Sequence, residues 1–307
     1  LETLVRLPNN TLNPQAFDAL AAGVPAANVG AVRFDLRHCE FIEPFGIVGL
    51  LFLLRHAAAR QTQVVCDLPH SAAVRAYLSA MDFYRQAEPY AELYPAPTGD
   101  SGSGETSEGD FSLALTPIHS EADVTEAVKG LIARVRSILT RNLQYNPTVL
   151  NKICVALAEI CQNIPQHSDD WGTVALQSYR SRNRPDDRFV KFAVGDLGVG
   201  IRQSLASRQG SADLNDAEAI RSALRFGVSR FGEPGRGLGL AAVAALAKAV
   251  GGSLQVRSGR ARVLLRGAQH YVFSVPFFPG TQVSLELPAR QLFTPLTSDG
   301  PLPGSVH

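Results

Sequence analysis

Apolar positions in the first 94 residues fall into short runs separated by longer amphipathic stretches. The runs at 3–7, 29–36 and 62–68 predict strands, and helices are expected from Pro14, over 44–60 and through Met81. Pro14 and Pro44 suit a first helical position, where no N–H is needed. Strands alternating with helices imply a sheet covered by helices. The unbroken apolar stretch 45–54 is far shorter than the roughly 20 residues of a membrane span and reads as a buried helix.

Between Pro95 and Asp110 the chain reads PAPTGDSGSGETSEGD, with no large apolar residue, which is the composition of a solvated linker. Beyond it a strand at 111–115 precedes helices over 121–141 and from 147 to about 163. Strands at 173–179 and 189–194 follow, joined by a hairpin loop, SRNRPDD. Residues 201–234 are irregular around one short helix at 216–226 and have the length of a mobile lid. The stretch 238–250 is apolar nearly all round and stops at Gly251-Gly252, as a buried helix with a glycine cap does. Four strands, at 253–257, 262–266, 271–275 and 282–287, complete the pattern. The organisation expected is a small α/β domain at 1–94, a linker at 95–110, a second α/β domain at 111–290 and a loose tail at 291–307.

Charge narrows the function classes. Lysine plus arginine (29) nearly balance aspartate plus glutamate (28), so no whole-molecule field favours nucleic acid or a membrane surface, and neither partner is expected. The start at Leu1 shows no basic segment running into an apolar stretch, so a retained secretory leader is not expected. Cys39, Cys66, Cys154 and Cys161 lack Cys-x-x-Cys spacing, which favours buried thiols in a reducing cytoplasm over disulfides or zinc.

Three blocks carry candidate chemistry. Glu159, Asn163 and His167 recur every fourth residue, stacking a carboxylate, a carboxamide and an imidazole along one helix face, with Ile153, Leu157 and Ile160 opposite. The carboxylate can orient or deprotonate a nucleophile, and the amide oxygen suits Mg²⁺ beside phosphate oxygens. Pro165 predicts a break or kink just after Asn163, which would leave His167 on a turn. In the second block a buried strand runs into Asp196-Leu197-Gly198-Val199-Gly200-Ile201. There Asp196 could accept from an exocyclic amine, and Gly198 and Gly200 would let the backbone approach a flat ring. The third block, Gly235-Arg236-Gly237-Leu238-Gly239, lies where a loop becomes a helix, a natural phosphate site. Each block alone fits an ordinary polar helix face, strand-ending turn or solvated loop better than it fits a binding site.

The ordered set E-x3-N-x3-H, D-x-G-x-G-I, G-x-G-L-G-L and Gly280-Thr281 resembles the motifs of the GHKL ATPase superfamily over residues 111 to 290. The resemblance implies a Bergerat α/β sandwich, with helices on one face of a mixed sheet, that binds ATP and Mg²⁺. Glu159 would then be the general base, Asn163 the Mg²⁺ ligand, and Asp196 the adenine reader with Gly198, Gly200, Ile201 and Thr281 around it. Gly235, Arg236, Gly237, Leu238 and Gly239 would face the phosphates, with His167 near them.

Within the superfamily, the acceptor-histidine hairpin of sensor kinases is missing. His119, in TPIHSEAD, lacks the acid-x-x-x-Pro pattern that follows such a histidine. The short domain is instead similar to the anti-sigma-factor serine kinases. VRFDLRHCEFIEPFGIVGLLFL resembles the core of a STAS (anti-anti-sigma-like) domain, except that Glu43-Pro44-Phe45-Gly46 stands where that family carries a phosphorylatable Ser or Thr. A degenerate STAS-like module, an anti-anti-sigma-like or sigma-factor-like protein partner and a homodimer are the partners this resemblance implies. Protein serine/threonine kinase is the leading expectation; ATP hydrolysis driving a conformational switch and a non-catalytic ATP-sensing scaffold are the rivals.

Overall fold

A computed structural model describes residues 2–25, 30–61, 63–97, 112–120, 145, 147–168, 170–180, 188–206, 213–225 and 239–288, with scattered helical positions between 129 and 140. The first part runs β1 (Glu2–Arg6), β2 (Thr11–Leu12), α1 (Pro14–Gly23), β3 (Ala31–Asp35), β4 (Phe41–Ile42), α2 (Pro44–Ala58), β5 (Gln63–Asp67), α3 (Ala72–Ala80), α4 (Phe83–Ala87) and β6 (Glu92–Tyr94). The Asn13 side chain accepts from Ala16 N–H and Pro14 follows it, so α1 starts where both signals place it. Strands β1, β3, β5 and β6 pair in that order, all parallel. Because the order advances one way, right-handed crossovers put the connecting helices on one face. Val32, Phe34, Val64 and Cys66 are buried beneath them. On the other face Arg33 bonds Glu2 (3.0 Å) and Asp67 (2.7 Å).

The second part runs β7 (Ser112–Ile118), α5 (Pro147–His167), β8 (Gly172–Arg180), β9 (Arg188–Asp196), α6 (Gly200–Ala206), α7 (Asp216–Ala223), α8 (Gly239–Ala249), β10 (Ser253–Arg266) and β11 (Gln269–Pro288). Its five-stranded sheet has the order β10-β11-β9-β8-β7, every pairing antiparallel. Alternation along β8 and β9 divides two cores: Val174, Leu176, Phe192 and Val194 face Ile153, Leu157 and Ile160 of α5, whereas Ala175 and Ala193 face the first part. The α/β class is the one expected, with a parallel sheet and an antiparallel one.

Helix α2 lies between the two sheets, which explains why it is apolar all round: Phe45 to Leu54 are buried without exception. Its approach to β9 is close because the partners are small. A Cβ on Gly195 would stand 3.1 Å from Val48, and one on Gly49 would stand 2.7 Å from Phe17. Polar pins flank this contact. Lys191 pairs with Glu43 (2.9 Å), Arg55 with Asp170 (2.7 Å), and Asp18 of α1 takes both Arg257 (2.8 Å) and Arg262 (2.9 Å) of β10. Arg257 is 1% exposed and sits between the Phe17 and Phe278 rings; its burial lowers its pKa and the Asp18 carboxylate counters that.

Several expectations are corrected. Pro165 does not end α5, which continues to His167 with the proline inside its last turns. The strands expected at 253–257 and 262–266 are one strand, β10, stepped by register shifts around Gly259, whose φ is +59°. Those expected at 271–275 and 282–287 are likewise one strand, β11. Helix α6 occupies the start of the stretch read as irregular. Most of the linker (98–110), most of the helix expected at 121–141, the SRNRPDD loop, 207–212 and 226–234 of the stretch read as a lid, and the tail lie outside the described residues.

Candidate functional site

The second and fourth motifs meet where the end of β9 pairs with the middle of β11. Gln282 pairs with Gly195 in the register of these strands, so Thr281 lies beside Asp196. Asp196 is 7% exposed. Its Oδ1 accepts from Gly198 N–H (2.8 Å) and Thr281 N–H (3.3 Å). Burial is the main cause that pushes this carboxyl up to about 7; the two N–H donors pull it down and Asp170 adds to the rise. A carboxyl held so far above its usual range, in a cleft, is a binding-site signature.

The glycines of the turn are required by the packing of the chain itself. A Cβ on Gly198 would lie 1.9 Å from Ser168 O, so this residue packs on the corner after α5. Gly200 has φ +75°, and a Cβ there would meet Ser258 Oγ at 2.8 Å. Ser258 ties the strands together: its Oγ accepts from Ile201 N–H (3.0 Å) and donates to Gly280 O (3.0 Å). Gly280 itself needs φ +76°, since a Cβ would lie 2.0 Å from Asp196 O.

The first and third motifs meet at the other end of the cleft. A Cβ on Gly239, the first residue of α8, would stand 3.4 Å from Asn163 Nδ2 and 3.6 Å from Glu159 Oε2. Between the two ends opens a cleft of about 820 Å³, its open mouth included, lined by Asn163, Ser168, Asp196, Gly200, Ile201, Gly239 and Thr281 among others. Ile160, Ile164, Val194 and Val283 supply apolar walls. Asn163 and Glu159 are half-buried, placed so that a metal held by the amide could also touch a ligand's oxygens. No cluster of three or more His, Cys, Asp or Glu exists among the described residues, so an all-protein metal cage is not what this site offers there.

The backbone at His167 is helical, but its side chain, and all of Gly235, Arg236, Gly237 and Leu238, lie outside the described residues. Ser168, Ser204 and Ser258 were not anticipated from the sequence. A lone serine in a strand, in a helix or just past a helix end carries no pattern of its own; Ser168 and Ser204 line the cleft, and the pairing of β10 with β11 sets Ser258 beside Thr281, which lines it too. His119, weighed above as an acceptor, meets the Trp171 ring at 5.3 Å, tilted by 38°.

Residues 121–266 match the family of histidine kinase-like ATPase domains. The match covers α5 through β10 and therefore three of the four motifs, and it supports a GHKL-type ATP-binding domain in the second part of the chain. No curated protein matches. No helix among the described residues is long and apolar enough to cross a membrane.

Proposed function

We propose that the second part of the chain binds ATP with Mg²⁺ and that the protein is a regulatory serine/threonine kinase of the anti-sigma-factor type, acting on a separate protein. The observation that carries the nucleotide reading is the buried Asp196 carboxyl in a cleft that Asn163 and Gly239, the first residue of α8, also line, with Glu159 close to Gly239. Both described bonds to this carboxyl fall on Oδ1, and Oδ2 would accept from the exocyclic amine of adenine. Asn163 would hold Mg²⁺ through its amide oxygen, and the cation, when bound, neutralises phosphate charge. The N–H groups opening α8, with the glycines before it, would face the phosphates. Glu159 would take the proton of a substrate hydroxyl as that oxygen bonds to the γ-phosphorus and ADP departs.

A separate substrate is favoured by the first part, read as a degenerate STAS-like module. Where a hydroxyl would be sought, Glu43 is paired to Lys191, Phe45 is 2% exposed, and a Cβ on Gly46 would lie 2.2 Å from Leu12 O. The four free, buried cysteines agree with a cytoplasmic setting.

Titration of the whole protein with ATP, with and without Mg²⁺ and repeated on Asp196→Asn, tests the nucleotide reading. Undiminished binding by the variant would remove Asp196 from the site. Transfer of labelled γ-phosphate to protein, lost in Glu159→Gln, supports the kinase. Steady phosphate release with no labelled protein points to an ATPase switch, and binding without turnover in both forms to a sensing scaffold.

A further inference from the structure

We infer that Arg55, on α2 of the first part, is a positioning residue for the adenine end of the cleft: it holds the corner formed by Ser168 and residues 170–172, on which the turn at 196–200 is built. This deepens the nucleotide reading and rests on it.

The corner and the turn interlock with no slack. Ser168 continues the hydrogen bonding of α5 by donating its N–H to Ile164 O (3.0 Å), and its carbonyl accepts from Val199 N–H (3.1 Å). Gly198 stacks so closely on the Ser168 carbonyl that no side chain fits between them. Four residues after Ser168, Gly172 pairs with Asp196 in the β8–β9 ladder, and a Cβ on it would lie 2.5 Å from Gly195 O. A displacement of the corner therefore displaces Asp196, whose orientation also depends on Gly198 N–H. Close-packed elements move together because none can deform alone.

Arg55 grips this corner from outside. Its Nη2 donates to Asp170 Oδ1 (2.7 Å), which also accepts from Trp171 N–H (2.8 Å). The guanidinium lies over the Trp171 ring at 4.5 Å, and Phe52, one turn earlier on α2, meets the same ring at 5.6 Å. Asp170 is in turn locked to Ser168, its N–H donating to Ser168 Oγ (3.1 Å). The pair is about four-fifths buried, 21% and 24% exposed, so solvent screens it less than a surface pair. A planar cation that both stacks and donates to a carboxylate is a job for arginine over lysine. Docking of α2 does not hinge on this contact, since the apolar core, Glu43 with Lys191 and Asp18 with its two arginines hold the same interface. Arg55 differs from those pins in ending one bonded step from a residue that lines the cleft, Ser168.

The experiment compares the dissociation constants of ATP and adenosine for the full chain and its variants. Arg55→Ala is expected to weaken both ligands by the same factor, about tenfold, as for loss of a charge-assisted bond; Arg55→Lys should recover part of it. Asp170→Asn should weaken both alike, and the double variant should be no worse than either single one. Asp170→Asn also reads the contact if Arg55→Ala does not fold. Glu43→Gln loosens the same interface away from the turn and should leave adenosine binding unchanged. Unchanged adenosine affinity in Arg55→Ala, or an equal loss in Glu43→Gln, would overturn the inference while the nucleotide reading stands. A wild type that binds neither ligand would overturn both.

Discussion

Asp196 brings sequence, burial and chemistry together in one residue. Its carboxyl is raised to about 7, first by burial and then by Asp170, against an ordinary value near 4. The sign of the consequence follows from linkage. Between those two values the empty folded chain holds a proton that the unfolded chain lacks, so this group's contribution to stability falls as pH rises from about 4 to about 7. Ligand binding runs the opposite way, because an amine donor needs the ionised carboxylate. Adenosine affinity, free of phosphate titration, should rise about tenfold per pH unit up to about 7 and level off above it. Calorimetric titrations between about pH 5.5 and 8.5 check this, and a flat profile for the wild type would refute it. Gly198→Ala tests the neighbouring turn: with Ser168 O only 1.9 Å from the added carbon, we expect a loss of about 1–3 kcal/mol in denaturant unfolding and weaker adenosine binding.

At the scale of elements, what the sequence revealed and what it concealed have physical causes. Motifs were legible because each places several chemically constrained residues at fixed spacing, and the structure brings Asp196 to Thr281 and Asn163 to Gly239 as their order implied. The strand breaks were misplaced because Ser258-Gly259-Arg260 and the proline-bounded segment 276–279 read as turns, whereas bulging lets the β10–β11 ladder absorb them. Helix α5 outlasts Pro165 because the proline forfeits only its own N–H bond to the carbonyl four residues back, and the bonding resumes beyond it, with Ser168 N–H on Ile164 O. Polar residues in strands were harder still. Gln282 of β11 is 2% exposed beneath Gly49 of α2, and neither amide atom has a partner among the described residues. Gln282→Met keeps the shape and removes the unmet groups, so it should raise stability by about 1–2 kcal/mol. A lower midpoint in urea would show that the amide is satisfied by water.

Over the whole molecule, the docking of one part on the other had a single sequence signal: a helix apolar all round needs burial all round, and one four-stranded sheet covers only one side of α2. The second sheet supplies the other side through Ala175, Ala193 and Phe278, so the two parts share one core. A shared core should unfold as one unit. Trp171, the single tryptophan of the chain, lies under the Arg55 guanidinium and against the Phe52 ring at the junction; its fluorescence reports docking while far-ultraviolet dichroism reports both sheets. In the wild type the two signals should trace one denaturation curve. Asp18→Asn strips the charge that Arg257 and Arg262 share at 1% and 4% exposure, leaving two buried cations without their counter-ion. The expected cost is about 3–5 kcal/mol, as for breaking a buried pair, and both signals should shift together to lower denaturant. If dichroism instead split into two steps, with fluorescence following only one, the parts would be independent domains in contact and the shared core would carry little of the stability.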